Sequence, residues 1–177
     1  MAEGVTRDGS NRCICHCRFC RQYAERLGAD GVLDDQGGTE VIQFSPRKFR
    51  FTGGEEHLGC LRQTKKGALR WYAKCCNTPI ANTAGSTKLP FVGVVRRAVT
   101  APEGAALDRA VGPVRARIYL PPEMKQGVNW REKGMMLRIL RLLLFWKLRG
   151  DGKRSPFFGD DGKPIREVER APLADCA

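Results

Sequence analysis

The chain has 177 residues, room for one domain or one domain with an appendage, and 42% of them are hydrophobic, enough for a packed core. Its formal net charge of +12 argues against a cationic partner and fits an anionic one (nucleic acid, a membrane surface, a small anion) or a merely basic soluble surface. No run approaches the ~20 uninterrupted apolar residues of a membrane span, and Met1 to Asn11 lacks the apolar centre of a secretory signal, so the eight cysteines are expected in a reducing cytoplasm, where clustered thiols indicate metal or catalysis rather than disulfides.

Residues 1–12 are expected to be disordered. The next stretch, Cys13-Ile14-Cys15-His16-Cys17-Arg18-Phe19-Cys20, packs four of the eight cysteines into eight residues. A packed core has no need of that spacing, and a metal does. Cys15-x-Cys17-x-x-Cys20 places three thiols on one tight loop, and Zn²⁺ prefers thiolates in a tetrahedral shell with Zn–S near ~2.3 Å. Three thiolates leave a fourth position. A protein cysteine there makes the site structural. An open position admits water or an exogenous thiol, which zinc would hold as thiolate. His16 could ligate or shuttle protons, but with three thiolates at hand a loop-shaping or supporting role is expected.

Arg21 to Leu27 reads as a short helix closed by Gly28. Ala29 to Gly38 is loop. Val41 to Phe44 is a strand stopped by Ser45-Pro46, and Lys48 to Thr52 alternates with Phe49 and Phe51 on one face. Leu58–Arg62 and Ala68–Cys75 flank Thr64-Lys65-Lys66-Gly67 as a β-hairpin, with Leu69, Trp71 and Ala73 on one face and Arg70, Tyr72 and Lys74 on the other. Cys60 fits a small buried hydrophobe. Of Cys75 and Cys76, adjacent and so on opposite faces, Cys76 suits a ligand better, because it precedes the turn Asn77-Thr78-Pro79.

Leu89–Val95 and Val114–Leu120 read as two more strands, separated by a helix over Ala105–Ala110 that ends at Gly112-Pro113. Composition shifts after Pro121-Pro122. Met135 to Arg149 is an amphipathic helix with Arg138, Arg141 and Arg149 on one side. Between Asn129 and Arg154 stand eight basic residues (Arg131, Lys133, Arg138, Arg141, Lys147, Arg149, Lys153, Arg154) and two acidic ones (Glu132, Asp151), so 8 − 2 = +6. Phe157-Phe158, Asp161-Gly162 and Pro164-Ile165 suggest a final pair of short strands. Residues 13–122 are thus expected to form a zinc-binding β domain, 123–170 a helix and hairpin packed on it, and 171–177 a tail to which Cys176 belongs.

Cys15-His16-Cys17-Arg18-Phe19-Cys20-Arg21 resembles the signature of the glutathione-dependent formaldehyde-activating enzymes, also described as the centromere-protein-V-like domain, and Cys76-Asn77-Thr78-Pro79 resembles the turn closing that family's second metal half-site. Gly67 to Ile80, Leu89 to Gly93 and Arg154 to Phe158 read like a bacterial branch of the family. The resemblance covers roughly residues 13 to 165. It implies a mainly β fold, two packed antiparallel sheets around a zinc site (the β-tent type), here with a C-terminal amphipathic helix. It implies a catalytic-type zinc on Cys15, Cys17 and Cys20, whose open position takes the glutathione sulfur for addition to formaldehyde. The chain departs from the pattern where no Cys-x-Cys pair precedes Cys13 and where Ala73 stands for the first cysteine of the later half-site. One zinc is therefore expected, with Cys75 or Cys76 as candidate fourth ligand, and no complete second site.

Two functions fit these features. One is a carbon–sulfur lyase type enzyme joining glutathione or another small thiol to formaldehyde or a small aldehyde, with Arg62 and Arg70 as partners for glutathione's carboxylates. The other is a non-catalytic, zinc-stabilised binding module whose basic helix contacts nucleic acid, a membrane or a protein, or forms a dimer interface. Nucleic acid is the weaker partner, since the segment lacks the interleaved exposed aromatics of a single-strand platform. An architecture fixed by its metal is expected to lose cooperative unfolding when stripped.

Overall fold

The computed structural model describes residues 2–98, 105–125 and 127–171. Eight strands, β1 (Ser10–Cys15), β2 (Thr39–Phe44), β3 (Leu58–Arg62), β4 (Leu69–Ala73), β5 (Thr78–Thr83), β6 (Val92–Val95), β7 (Ala116–Ile118) and β8 (Val168–Arg170), join in one sheet of order β7-β1-β2-β6-β5-β4-β3-β8. The inner six pair antiparallel, while the three-residue edge strands β7 and β8 pair parallel to β1 and β3. The mainly β expectation is met, but the strands form one mixed sheet rather than two antiparallel ones. Among the described residues three α-helices accompany it: α1 (Arg18–Arg26), α2 (Ala105–Val111) and α3 (Trp130–Leu148).

The alternation of β4 decides what each face does. Leu69 and Trp71 point into the main apolar cluster with Ile42, Phe44, Cys60, Ala81, Val92 and Val94, which α2 caps with Leu107 and Val111. Cys60 is thus the buried small hydrophobe its surroundings favour. Phe157 stacks on Trp71 and Phe49 with ring centroids 5.0 and 4.9 Å apart, a geometry that adds to burial. On the opposite face, Cys13, Cys15, Val41, Ala116 and Ile118 meet Met135 of α3. Tyr23 of α1 and Leu27, just past its end, pack on Leu61.

Several expected elements shift. β1 begins at Ser10, so residues 10–12 are strand rather than disorder; Ser10 and Asn11 are buried, and the Ser10 hydroxyl donates to the Val111 carbonyl at 2.9 Å. Lys48–Thr52 is not a strand: a short 3-10 turn over Pro46–Lys48 takes its first residue, and Phe49 makes only an isolated bridge to Ala2. Thr78-Pro79 opens β5 instead of forming a turn. Cys75 and Cys76 lie after β4 in the turn that Asn77 completes at φ 52°, a left-handed conformation asparagine tolerates. The final strand pair reduces to a Phe158–Pro164 bridge, and the last strand among the described residues is β8. Cys176 lies outside the described residues.

Helix α3 starts five residues earlier than its apolar run, at Trp130. Asn129 caps it: its Oδ1 accepts from the Glu132 N–H at 3.1 Å, and Glu132 accepts in return from the Asn129 side chain and the Tyr119 N–H. Met135, Ile139 and Trp146 form its buried side. Arg138 is not solvated; its guanidinium donates to the carbonyls of Arg7, Asp8 and Ser10 and ties the helix to the start of β1. No helix among the described residues is long and apolar enough to cross a membrane.

Candidate metal centre

The three thiols come together because strand, turn and helix succeed one another without slack. Cys15 ends β1, Cys17 caps α1 in an extended conformation, and Cys20 lies in the first helical turn. The Cys17 carbonyl accepts from the N–H of Cys20 at 3.0 Å and of Arg21 at 3.3 Å. This folds the Cys-x-x-Cys spacing around one turn and leaves both side chains on the Cys15 side. The Sγ atoms of Cys15, Cys17 and Cys20 all lie within 4.8 Å of one another, and those of Cys15 and Cys20 are 3.7 Å apart. A tetrahedral ion with Zn–S near ~2.3 Å requires an S···S edge of roughly 3.8 Å, so the donor set fits zinc.

The electrostatics favour a thiolate at Cys17, with Cys15 and Cys20 held as neutral thiols beside it. The cluster sits at the N-terminus of α1, whose first turn holds no acidic residue, so the helix's positive end serves the sulfurs. Hydrogen bonds from Cys15 and Cys20 hold the Cys17 thiol far below its usual value, while Cys15 is pushed up by its hydrogen bonds to Cys17 and Cys20 and then by burial. Arg70 is 7% exposed and donates to the Cys20 sulfur at 3.5 Å, with its guanidinium over the Tyr23 ring. Tyr23 is fixed in turn by donating to the Trp71 carbonyl at 2.6 Å. Cys13, one pleat along β1, is pushed up to about 12 by burial, then by its neighbouring thiols.

The cluster opens on a cavity of about 760 Å³ between the sheet and α3, lined also by Arg62, Lys65, Lys66, Arg70, Asn82, Tyr119 and Met135. Arg62 and Arg70 therefore share one cavity with the thiols, but in different places. Arg70 is buried against Cys20, while Arg62 is half-buried beside the Lys65-Lys66 turn and donates to the Lys65 carbonyl at 3.4 Å.

Cys75 and Cys76 are not brought to this group. They are exposed in the β4–β5 turn, at the opposite end of β4 from the Gly67 turn that borders the cavity. Their sulfurs lie 3.8 Å apart, and Cys76 Sγ is 3.0 Å from Thr78 Oγ1. Neither lies with the Cys15, Cys17 and Cys20 sulfurs. His16 faces away from the sulfurs: its Nε2 accepts from Arg117 at 2.9 Å, and Arg117 also donates to Asp34 at 2.8 Å. Burial foremost lowers the His16 pKa, in keeping with a neutral ring that accepts from a guanidinium. Asn82 is a residue the sequence did not flag. Register pairs it with Arg70, and its buried Oδ1 lacks a partner among the described residues. Only recognition of β5 would have exposed it.

The description "Family of unknown function (DUF6151)" belongs to the family that matches residues 5–169, and the chain is a member of it. No curated protein and no solved structure matches the chain.

Proposed function

We propose that this DUF6151 member is a single-zinc protein of the glutathione-dependent formaldehyde-activating type, which joins glutathione or another small thiol to formaldehyde or a small aldehyde. The observation that carries the reading is the position of the cluster: three convergent thiols form part of the wall of a cavity that also presents four cationic side chains. Cys15, Cys17 and Cys20 would hold the metal. Zinc bound there supplies a Lewis acid that keeps an added thiol ionised at neutral pH.

The chain's own residues do the rest. Arg62, Lys65 and Lys66 on the open side of the cavity suit the two carboxylates of glutathione. Arg70 places a fixed positive charge beside the sulfurs, where negative charge gathers. Met135, Ile118 and Leu143 supply apolar wall, which limits water around the aldehyde. The new C–S bond forms between the thiol sulfur and the carbonyl carbon as the C=O π bond opens, and the carbonyl oxygen takes the proton that the thiol released on ionising, to give the S-hydroxymethyl thiol.

The test is the rate of S-hydroxymethylglutathione formation with zinc-loaded protein and with Cys17→Ser. The wild type is expected to accelerate it and the variant not. Equal rates with and without wild-type protein overturn the enzymatic reading. X-ray absorption separates the alternative: three sulfurs and a light atom support the open site, whereas four sulfurs, with Cys13 the neighbouring thiol on the same cavity wall, indicate a closed structural zinc and a non-catalytic module.

A further inference from the structure

Helix α3 is apolar on two sides, and the sheet uses only one. Met135, Ile139 and Trp146 are buried. On the opposite side Trp130 is 73% exposed, Leu137 61%, Leu140 59%, Leu144 59% and Leu148 79%. At 100° per residue these five lie within an arc of about 80°, so they form a stripe along the whole helix, roughly 28 Å long. Val128, just before the helix, extends it with 56% exposure. Isolated exposed leucines mean little, but a continuous stripe of this kind marks an interaction site.

The charges say what covers it. Lys133 lies within the stripe, Lys147 on one border and Arg141 on the other. All three are exposed, and none makes an ion pair among the described residues. Glu132, the helix's sole acid, is turned inward to cap it. Lys133 Nζ stands 4.6 Å from the Trp130 ring centroid, a pairing suited to the boundary between acyl chains and head groups. A second copy of this face would set cations against cations. An anionic bilayer surface matches both features at once, because leucines enter the acyl boundary while lysines and arginine reach head-group phosphates.

We propose that the outer face of α3 docks the protein, in plane and reversibly, on anionic lipid membranes. The helix is held flat for this by its buried side and by the Arg138 contacts to Arg7, Asp8 and Ser10. The proposal is independent of the thiol cluster and of any catalysis there.

The experiment is flotation of the full chain with phosphatidylcholine vesicles containing about 30% phosphatidylglycerol, beside vesicles of phosphatidylcholine alone. Binding is expected on the anionic vesicles, weakening as salt rises, with a blue shift of tryptophan emission. That shift reports on Trp130, because Trp71 and Trp146 are already buried. Leu140→Glu/Leu144→Glu and, separately, Lys133→Glu/Lys147→Glu are each expected to cut partitioning about tenfold or more while circular dichroism stays unchanged; all four positions are exposed, so folding is spared. No binding to anionic vesicles overturns the proposal, as does binding that the leucine variants leave intact or that pure phosphatidylcholine reproduces. A dimer that Leu140→Glu/Leu144→Glu dissolves, without vesicle binding, overturns it in favour of a protein interface.

Discussion

Asp34 shows how single residues hold the loop behind the thiols. Its Oδ1 accepts from the N–H of Gln36 at 3.0 Å and of Gly38 at 2.7 Å, and its Oδ2 accepts from Arg117, which also reaches His16. Burial alone would raise its pKa, but the two backbone donors and Arg117 outweigh it and hold the carboxyl below its usual value. A folded-state value below the unfolded one means stability that is fully present above about pH 4 and lost as pH falls through the folded value. Asp34→Asn is expected to cost about 1 kcal/mol at neutral pH and to flatten this acid limb, read as urea midpoints against pH. An unchanged limb would put the acid sensitivity elsewhere. At this scale the sequence was most legible where contacts are local: Cys15, Cys17 and Cys20 converge within six residues. It was least legible where they are distant. Arg70 reads from the sequence as a carboxylate partner, yet it lies against a sulfur fifty residues away.

Among the elements, α3 depends on the turn at its C-terminal end. Asp151, fully buried in a 3-10 turn, accepts from Ser45 Oγ at 2.7 Å and faces the guanidinium groups of Arg47 at 3.5 Å and Arg149 at 3.9 Å. One carboxylate thereby joins the end of β2 to the end of α3. Asp151→Ala leaves Ser45 and two cations around a void and is expected to cost about 3 kcal/mol, measured by urea denaturation, with α3 becoming protease-sensitive first. Next to it, a Cβ on Gly152 would overlap the Thr87 carbonyl oxygen. Backbone cannot step aside as a flexible side chain does, so Gly152→Ala is expected to cost more than about 2 kcal/mol. Helices and the β3–β4 hairpin were legible because their signals are periodic and local. β5 was hidden by its Thr-Pro start, and Lys48–Thr52 carries a strand's alternation without a strand's partner, since Phe49 and Phe51 pack on Phe157 instead. Pairing is a tertiary property, and propensity does not report it.

For the whole molecule, the question is whether the metal holds the fold or the fold holds the metal. The cysteine spacing alone suggests the former. The distribution of the core argues for the latter: Trp71, Phe157, Leu69 and Val92, each completely buried, belong to the cluster on the face of the sheet opposite the thiols. That cluster keeps its partners whether or not an ion sits between Cys15, Cys17 and Cys20. Stripping the metal is therefore expected to leave far-UV circular dichroism and a single cooperative transition in place. The loss is the linkage term, about 4 kcal/mol for a site loaded at a thousand times its dissociation constant, or roughly 8–16 °C in Tm for a domain of this size. Thermal melts with and without a chelator, repeated on Cys20→Ala, separate the cases. Chelator should shift the wild type and leave the variant unmoved, already near the stripped value. A stripped protein that melts without cooperativity would instead make the three thiols the organising centre of the whole chain.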